Sequence, residues 1–94
     1  MGMIYAISYH EEVARTDIPR LSSLWRIKIK TAIEQRLTIE PLLYSKPLRS
    51  SLKNYRKLRV GDYRIVFRIE KDTVTIILIA HRSIVYTYAE RRVS

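Results

Sequence analysis

Residues 55–67 read YRKLRVGDYRIVF, two short runs mixing apolar and basic residues around Gly61-Asp62. Gly-Asp between alternating runs predicts a two-residue hairpin turn of type I′ or II′. With that turn, Val60 pairs with Tyr63, Arg59 with Arg64, Lys57 with Val66, and Tyr55 with Arg68. Directly paired residues share a face, and faces alternate along each strand. One face therefore collects Leu58, Val60, Tyr63, Ile65, Phe67 and Ile69, with Arg56 at its margin. The other collects Tyr55, Lys57, Arg59, Arg64, Val66 and Arg68. The first is a core face. The second is basic, and Arg59 opposite Arg64 is a like-charge pair that an anion held between them would relieve.

The pattern extends to both sides. A second hairpin turn is expected at residues 70–73, EKDT, leading into a strand over residues 73–80. Carrying the register through it puts Val74, Ile76 and Leu78 on the core side and Thr75, Ile77 and Ile79 on the other. Residues 3–9, MIYAISY, read as a first strand, and residues 11–18 as a short helix ending at Pro19. Residues 22–38 fit both an alternating strand and a helical stripe of Trp25, Ile29, Ala32, Ile33 and Leu37. Their length, a cap at Ser22 or Ser23, and good helix formers favour helix. Pro41 and Pro47 bracket a connector read as irregular, and residues 84–92 fit either a last strand or a short helix. The order β-α-α-β-β-β predicts an α+β fold: a small antiparallel sheet with two N-terminal helices on one face, in one domain spanning residues 1–94.

Composition narrows the chemistry. The 94 residues carry a formal charge of +9, with 47% apolar residues and no cysteine. Eight basic residues lie between Arg49 and Lys71 against Asp62 and Glu70 alone, so the excess is local. Such a patch points to a polyanionic partner. No apolar run approaches the ~18–20 residues of a membrane span, and the start lacks the pattern of a secretory signal. A membrane is therefore not expected as a partner, and the cytoplasm is the expected compartment. Two histidines and scattered acids offer no metal-ligand spacing, so no metal and no cofactor are expected. No G-x-S-x-G elbow suggests a serine hydrolase.

What remains is metal-free chemistry on a phosphodiester. Arginine and lysine can offset the charge that develops on phosphate, and RNA brings its own nucleophile in the 2′-hydroxyl. Lys57, Arg59, Arg64, Arg82, Tyr86 and Tyr88 offer cations and base-stacking rings near one edge of the sheet. Tyr86 and Tyr88 also fit plain packing roles. His81, beside Arg82, fits either a site residue or an ordinary strand-end histidine.

Residues 46–69, KPLRSSLKNYRKLRVGDYRIVFRI, followed by residues 74–86, VTIILIAHRSIVY, resemble the RelE/ParE toxin superfamily. The Pro-Leu-Arg lead-in, the Leu-Arg-Val-Gly-Asp-Tyr-Arg turn and the late His-Arg-x-x-Val-Tyr carry the resemblance, which covers nearly the whole chain. It implies a toxin of a toxin–antitoxin pair, inhibited by a cognate antitoxin that is often acidic and wraps it. RelE-like members cut mRNA in the ribosomal A site without metal, through 2′-hydroxyl attack. ParE-like members share the fold and inhibit DNA gyrase. By the same resemblance Arg64 contacts the scissile phosphate and Arg82 supports the transition state or leaving group. Tyr86 orients or stacks on the substrate base, and Lys57 helps activate the 2′-hydroxyl. Tyr55, Arg59, Arg68, His81 and Tyr88 are expected to bind RNA around these four. A second lysine of RelE proteins, two positions before Lys57, is Tyr55 here, which leaves the general base open. The alternative reading is a binding module without catalysis, either a gyrase inhibitor or a toxin that only pairs with its antitoxin.

Overall fold

In a computed structural model of the protein, which describes residues 2–93, the Gly-Asp hairpin sits at the centre of a five-stranded sheet. The strands are β1 (Ala6–Tyr9), β2 (Ser45–Pro47), β3 (Arg56–Val60), β4 (Tyr63–Glu70) and β5 (Thr73–His81), in spatial order β1-β5-β4-β3-β2. Val60 pairs with Tyr63, Arg59 with Arg64, and Lys57 with Val66, the expected register. Gly61 takes φ +58° at the turn. A helix α1 (Ser23–Ala32) packs its Trp25 ring against it. A Cβ at Gly61 would lie 2.4 Å from the Trp25 ring, so the position is closed both by conformation and by space. Gly61→Ala is expected to lower stability by about 1–3 kcal/mol, read from the urea midpoint. A midpoint equal to wild type would mean that the turn and the ring both yield freely.

The sheet is mixed, a correction to the antiparallel expectation. β1 runs parallel to β5, with Ile7 opposite Val74 and Tyr9 opposite Ile76. The helical segment between β1 and β2 carries the chain back across the sheet, so β1 lies beside the last strand in the same direction. β2, absent from the sequence reading, pairs antiparallel with β3 and sets Lys46 opposite Lys57. Its three residues, with Pro47 at the end, are too short and irregular to announce a strand.

The two N-terminal helical pieces cover one face as expected. Glu11 and Glu12 open the first, which closes through a π turn (Val13–Asp17) and a 3-10 turn (Ile18–Arg20) with Pro19 near its start. Ser22 caps α1, its Oγ accepting from Trp25 N–H at 3.3 Å, and a π turn (Ile33–Leu37) ends the helix. Val13, Ile29, Ile33 and Leu37 bury against Leu58, Ile65, Phe67, Val74 and Ile76. Each such side chain contributes about 1.5–3 kcal/mol when removed from water. Ile27, off the helical stripe, is 65% exposed.

The opposite face is not bare. Helix α2 (Val85–Val93), one of the two forms open for residues 84–92, lays Val85 and Ala89 on Val66, Leu78 and Ala80, with Leu48 and Leu52 beside them. A register shift explains why. Phe67 pairs with Ile76 but Val66 pairs with Leu78, so Ile77 is an extra residue in β5. The bulge moves Leu78 from its expected core side to the α2 side and brings Ile79 into the first core, both fully or nearly buried.

Past Tyr9 no strand continues β1, and side chains take over the outer edge of β5. Asp17 Oδ2 accepts from Ile79 N–H at 2.9 Å, and Arg92 Nη1 donates to Ile77 O at 3.0 Å. The two side chains meet in a forked pair at 2.7 and 3.2 Å, with side-chain exposures of 5% for Asp17 and 14% for Arg92. The backbone groups flanking the bulge are thus satisfied by an ion pair that ties the first helical segment to the end of α2.

Candidate functional site

The basic ends of β3 and β4 and the start of α2 enclose an open groove of about 420 Å³ lined by Lys57, Arg64, His81, Arg82, Ser83 and Tyr86. No carboxylate lines it. Each side chain arrives for a local reason. The Gly61 turn sets Arg64 across from Arg59, and Arg64 Nη1 donates to Gly61 O at 2.9 Å and Tyr63 O at 3.0 Å. Those bonds hold the guanidinium by one nitrogen and leave its other donors for an anion. Arg82 follows β5, its N–H bonded to Asp62 O at 2.8 Å. Its guanidinium lies 3.6 Å from the Asp62 carboxylate, in an exposed pair of little energetic weight. Tyr86, on the first turn of α2, receives a hydrogen bond from Lys57 Nζ at 2.5 Å, and the amine lies 5.2 Å from the ring centre. The helix thereby brings an aromatic face, 44% exposed for the residue as a whole, to the cationic sheet.

His81 ends β5 opposite Tyr63, and its ring meets the Tyr63 ring edge-on at 5.8 Å. Its Nδ1 faces Ser83, 2.8 Å from Oγ and 3.2 Å from the backbone N–H. Arg59 lines an adjoining hollow of about 180 Å³ with Tyr44, Lys46, Lys57 and Arg64. A third hollow, shared by Lys57 and Tyr86, reaches Lys46, Arg49 and Glu90. Lys57 stands where all three meet.

Of the residues singled out from sequence, Lys57, Arg64, His81, Arg82 and Tyr86 share one groove, and Arg59 borders it. Three do not. Tyr55 packs half-buried against the second core. Tyr88 does the same and borders a pocket on the far side of β5 with Asp17, Arg20 and Leu21. Arg68 is exposed opposite Thr75, near the other end of β4. Ser83 and Lys46 line these hollows without having been singled out. Lys46 was hidden in the unrecognised β2. Ser83 had a signal, standing two residues after a histidine at a strand end. Among the described residues no group of three or more His, Cys, Asp or Glu is placed to hold a metal ion, and no helix is long and apolar enough to cross a membrane.

A mixed five-stranded sheet, a helical hairpin on one face, a terminal helix on the other and a cationic groove between sheet and helix define a class of small basic α+β toxins. The RelBE2 toxin–antitoxin complex of Mycobacterium tuberculosis superposes with a TM-score of 0.80 over 86% of this chain and 94% of that one, at 29% identity. The RelB–RelE antitoxin–toxin complex of Methanococcus jannaschii gives 0.68 over 86% and 96%, at 25% identity. An Escherichia coli RelE mutant bound to a RelBc antitoxin peptide gives 0.66 over 93% and 95%, at 26% identity. In sequence, the toxin RelG of Mycobacterium tuberculosis is 40% identical over 52 residues, 53% of this chain and 60% of that protein. The chain thus spans less than two thirds of the length of that curated relative. Residues 12–86 match the family described as the ParE toxin of type II toxin–antitoxin systems, parDE. The chain belongs to this family, within the RelE/ParE toxin superfamily.

Proposed function

We propose that the chain is a ribosome-dependent endoribonuclease that cuts mRNA in the A site without a metal ion. The observation carrying this reading is the single groove in which Lys57, Arg64, Arg82 and Tyr86 stand together with no carboxylate among them. In the reaction the 2′-oxygen attacks the adjacent phosphorus, the bond to the 5′-oxygen breaks, and a 2′,3′-cyclic phosphate forms. The 2′-hydroxyl gives up its proton and the leaving 5′-oxygen gains one. Arg64 and Arg82 offset the charge on the phosphate oxygens as it builds. Lys57, fixed by the Tyr86 oxygen, handles a proton or charge at the 2′-hydroxyl. The Tyr86 face takes an unpaired base.

A cognate antitoxin is the second partner. The RelBE2 and RelB–RelE relatives were both solved as toxin–antitoxin complexes. Here the charge of +9 and the exposed Leu24, Ile27, Leu42 and Leu43 fit an acidic chain with apolar anchors. Its association rate is expected to fall on the order of tenfold as salt rises from low to physiological strength. Surface plasmon resonance at several salt concentrations checks this, and a flat rate would remove charge as the recognition force.

One observation favours a second reading, gyrase inhibition by the same fold. Tyr55, where RelE proteins carry a further lysine, packs into the second core and adds no cation to the groove. One cell-free translation experiment separates the two readings. Cuts in ribosome-bound mRNA, mapped by primer extension, support the nuclease. Gyrase-linked DNA breaks with intact mRNA support the inhibitor.

A further inference from the structure

We propose that His81 serves the groove as a neutral hydrogen-bond donor through Nε2, with Ser83 fixing its tautomer, and that it carries no proton in the reaction. The inference rests on the nuclease reading and refines it. His81 Nδ1 lies 3.2 Å from the Ser83 backbone N–H, a group that can only donate. Nδ1 is therefore an acceptor, and the neutral ring bears its proton on Nε2. The Ser83 hydroxyl, 2.8 Å away, can turn to donate to the same nitrogen.

The ring is also held from behind. Tyr63 meets it edge-on at 84°, and Trp25 packs on Tyr63 at a centroid distance of 5.0 Å. The series Trp25, Tyr63, His81 thus connects α1 to the wall of the groove. The acid bordering the pocket on the far side of the ring, Asp17, is engaged by Arg92 and Ile79.

A nitrogen that already bears its proton has no lone pair to accept one from a 2′-hydroxyl. It can donate to a non-bridging phosphate oxygen. Beside Lys57, Arg64 and Arg82 it adds a hydrogen bond without adding like charge. A histidine of this kind is a directional donor among cations whose attraction is less directional.

Two measurements test the proposal. Long-range proton–nitrogen NMR on the wild-type protein at neutral pH is expected to give the Nε2–H pattern for His81. Inorganic phosphate is expected to shift that nitrogen. An Nδ1–H pattern, or a nitrogen unmoved by phosphate, overturns the proposal whether or not RNA is cut. In ribosome-programmed cleavage, His81→Ala is expected to be slower by about a hundredfold, the effect of losing one such donor. His81→Gln, which returns an N–H near the Nε2 position, is expected to recover most of that loss. A Gln variant as slow as the Ala variant would assign proton transfer to His81, and an Ala variant at the wild-type rate would remove His81 from the reaction. Wild-type protein that leaves mRNA intact would sink the nuclease reading alone, since the NMR result stands by itself.

Discussion

Asp17→Ala is expected to destabilise the fold by about 3–5 kcal/mol, because it leaves Arg92 buried without its counter-charge. The loss goes beyond one ion pair. Asp17 also receives the Ile79 N–H, and Arg92 also donates to Ile77 O, so the edge of β5 loses its substitute for a neighbouring strand. Arg92→Ala is expected to cost a similar amount. The double variant should cost clearly less than the sum, since the two residues form one network. Urea unfolding of the four proteins measures this. Losses below about 1 kcal/mol for both single variants would mean that water enters the edge and replaces the pair.

Arg64→Ala and Arg82→Ala are each expected to slow mRNA cleavage by about 10²–10³, or roughly 3–4 kcal/mol of barrier. Each removes a cation from the groove without emptying any of the core. Arg82 is 65% exposed in its side chain, and its pair with Asp62 is exposed as well, so its loss should leave unfolding unchanged. Arg64 also braces the turn through Gly61 O and Tyr63 O, which adds a stability loss of about 1 kcal/mol. Arg64→Lys separates charge from shape. It keeps a positive group but cannot brace the turn and fork toward phosphate together, so it should recover only part of the rate. Single-turnover cleavage on programmed ribosomes gives these rates. If both alanine variants cut at the wild-type rate, the phosphate does not sit in this groove.

Much of this architecture was legible because one short turn governs it. Gly61-Asp62 fixed the pairing of β3 with β4, and the pairing sorted Leu58, Ile65 and Phe67 from Lys57, Arg59 and Arg64. The late run ending in His81, Arg82 and Tyr86 then fell beside the basic face. Three features escaped. β2 is three residues long and includes a proline, and no local pattern marks such a strand. The direction of β1 depends on how the helical segments return the chain, which is a global matter. The bulge at Ile77 was invisible because every residue near it is apolar, so a register slip leaves the pattern equally plausible. That slip misassigned Leu78 and Ile79, and with them the second core under α2. Tyr88 and Tyr55 were drawn into the site for a related reason. An aromatic residue near a basic run looks alike whether it stacks on a base or fills a hollow in the protein, and only the path of α2 decides.

The extra residue in β5 makes the protein unequally tolerant of changes in length. The turn at residues 71 and 72 projects from the sheet, and inserted residues there would leave both pairings untouched. Removing one residue beside Ile77 would rotate everything after it by half a turn. The greasy side chains that seat the last helix would be turned away from it, and His81 and Arg82 would leave the groove together. Along this strand counting matters more than composition, and conservative replacements there should be far milder than any deletion.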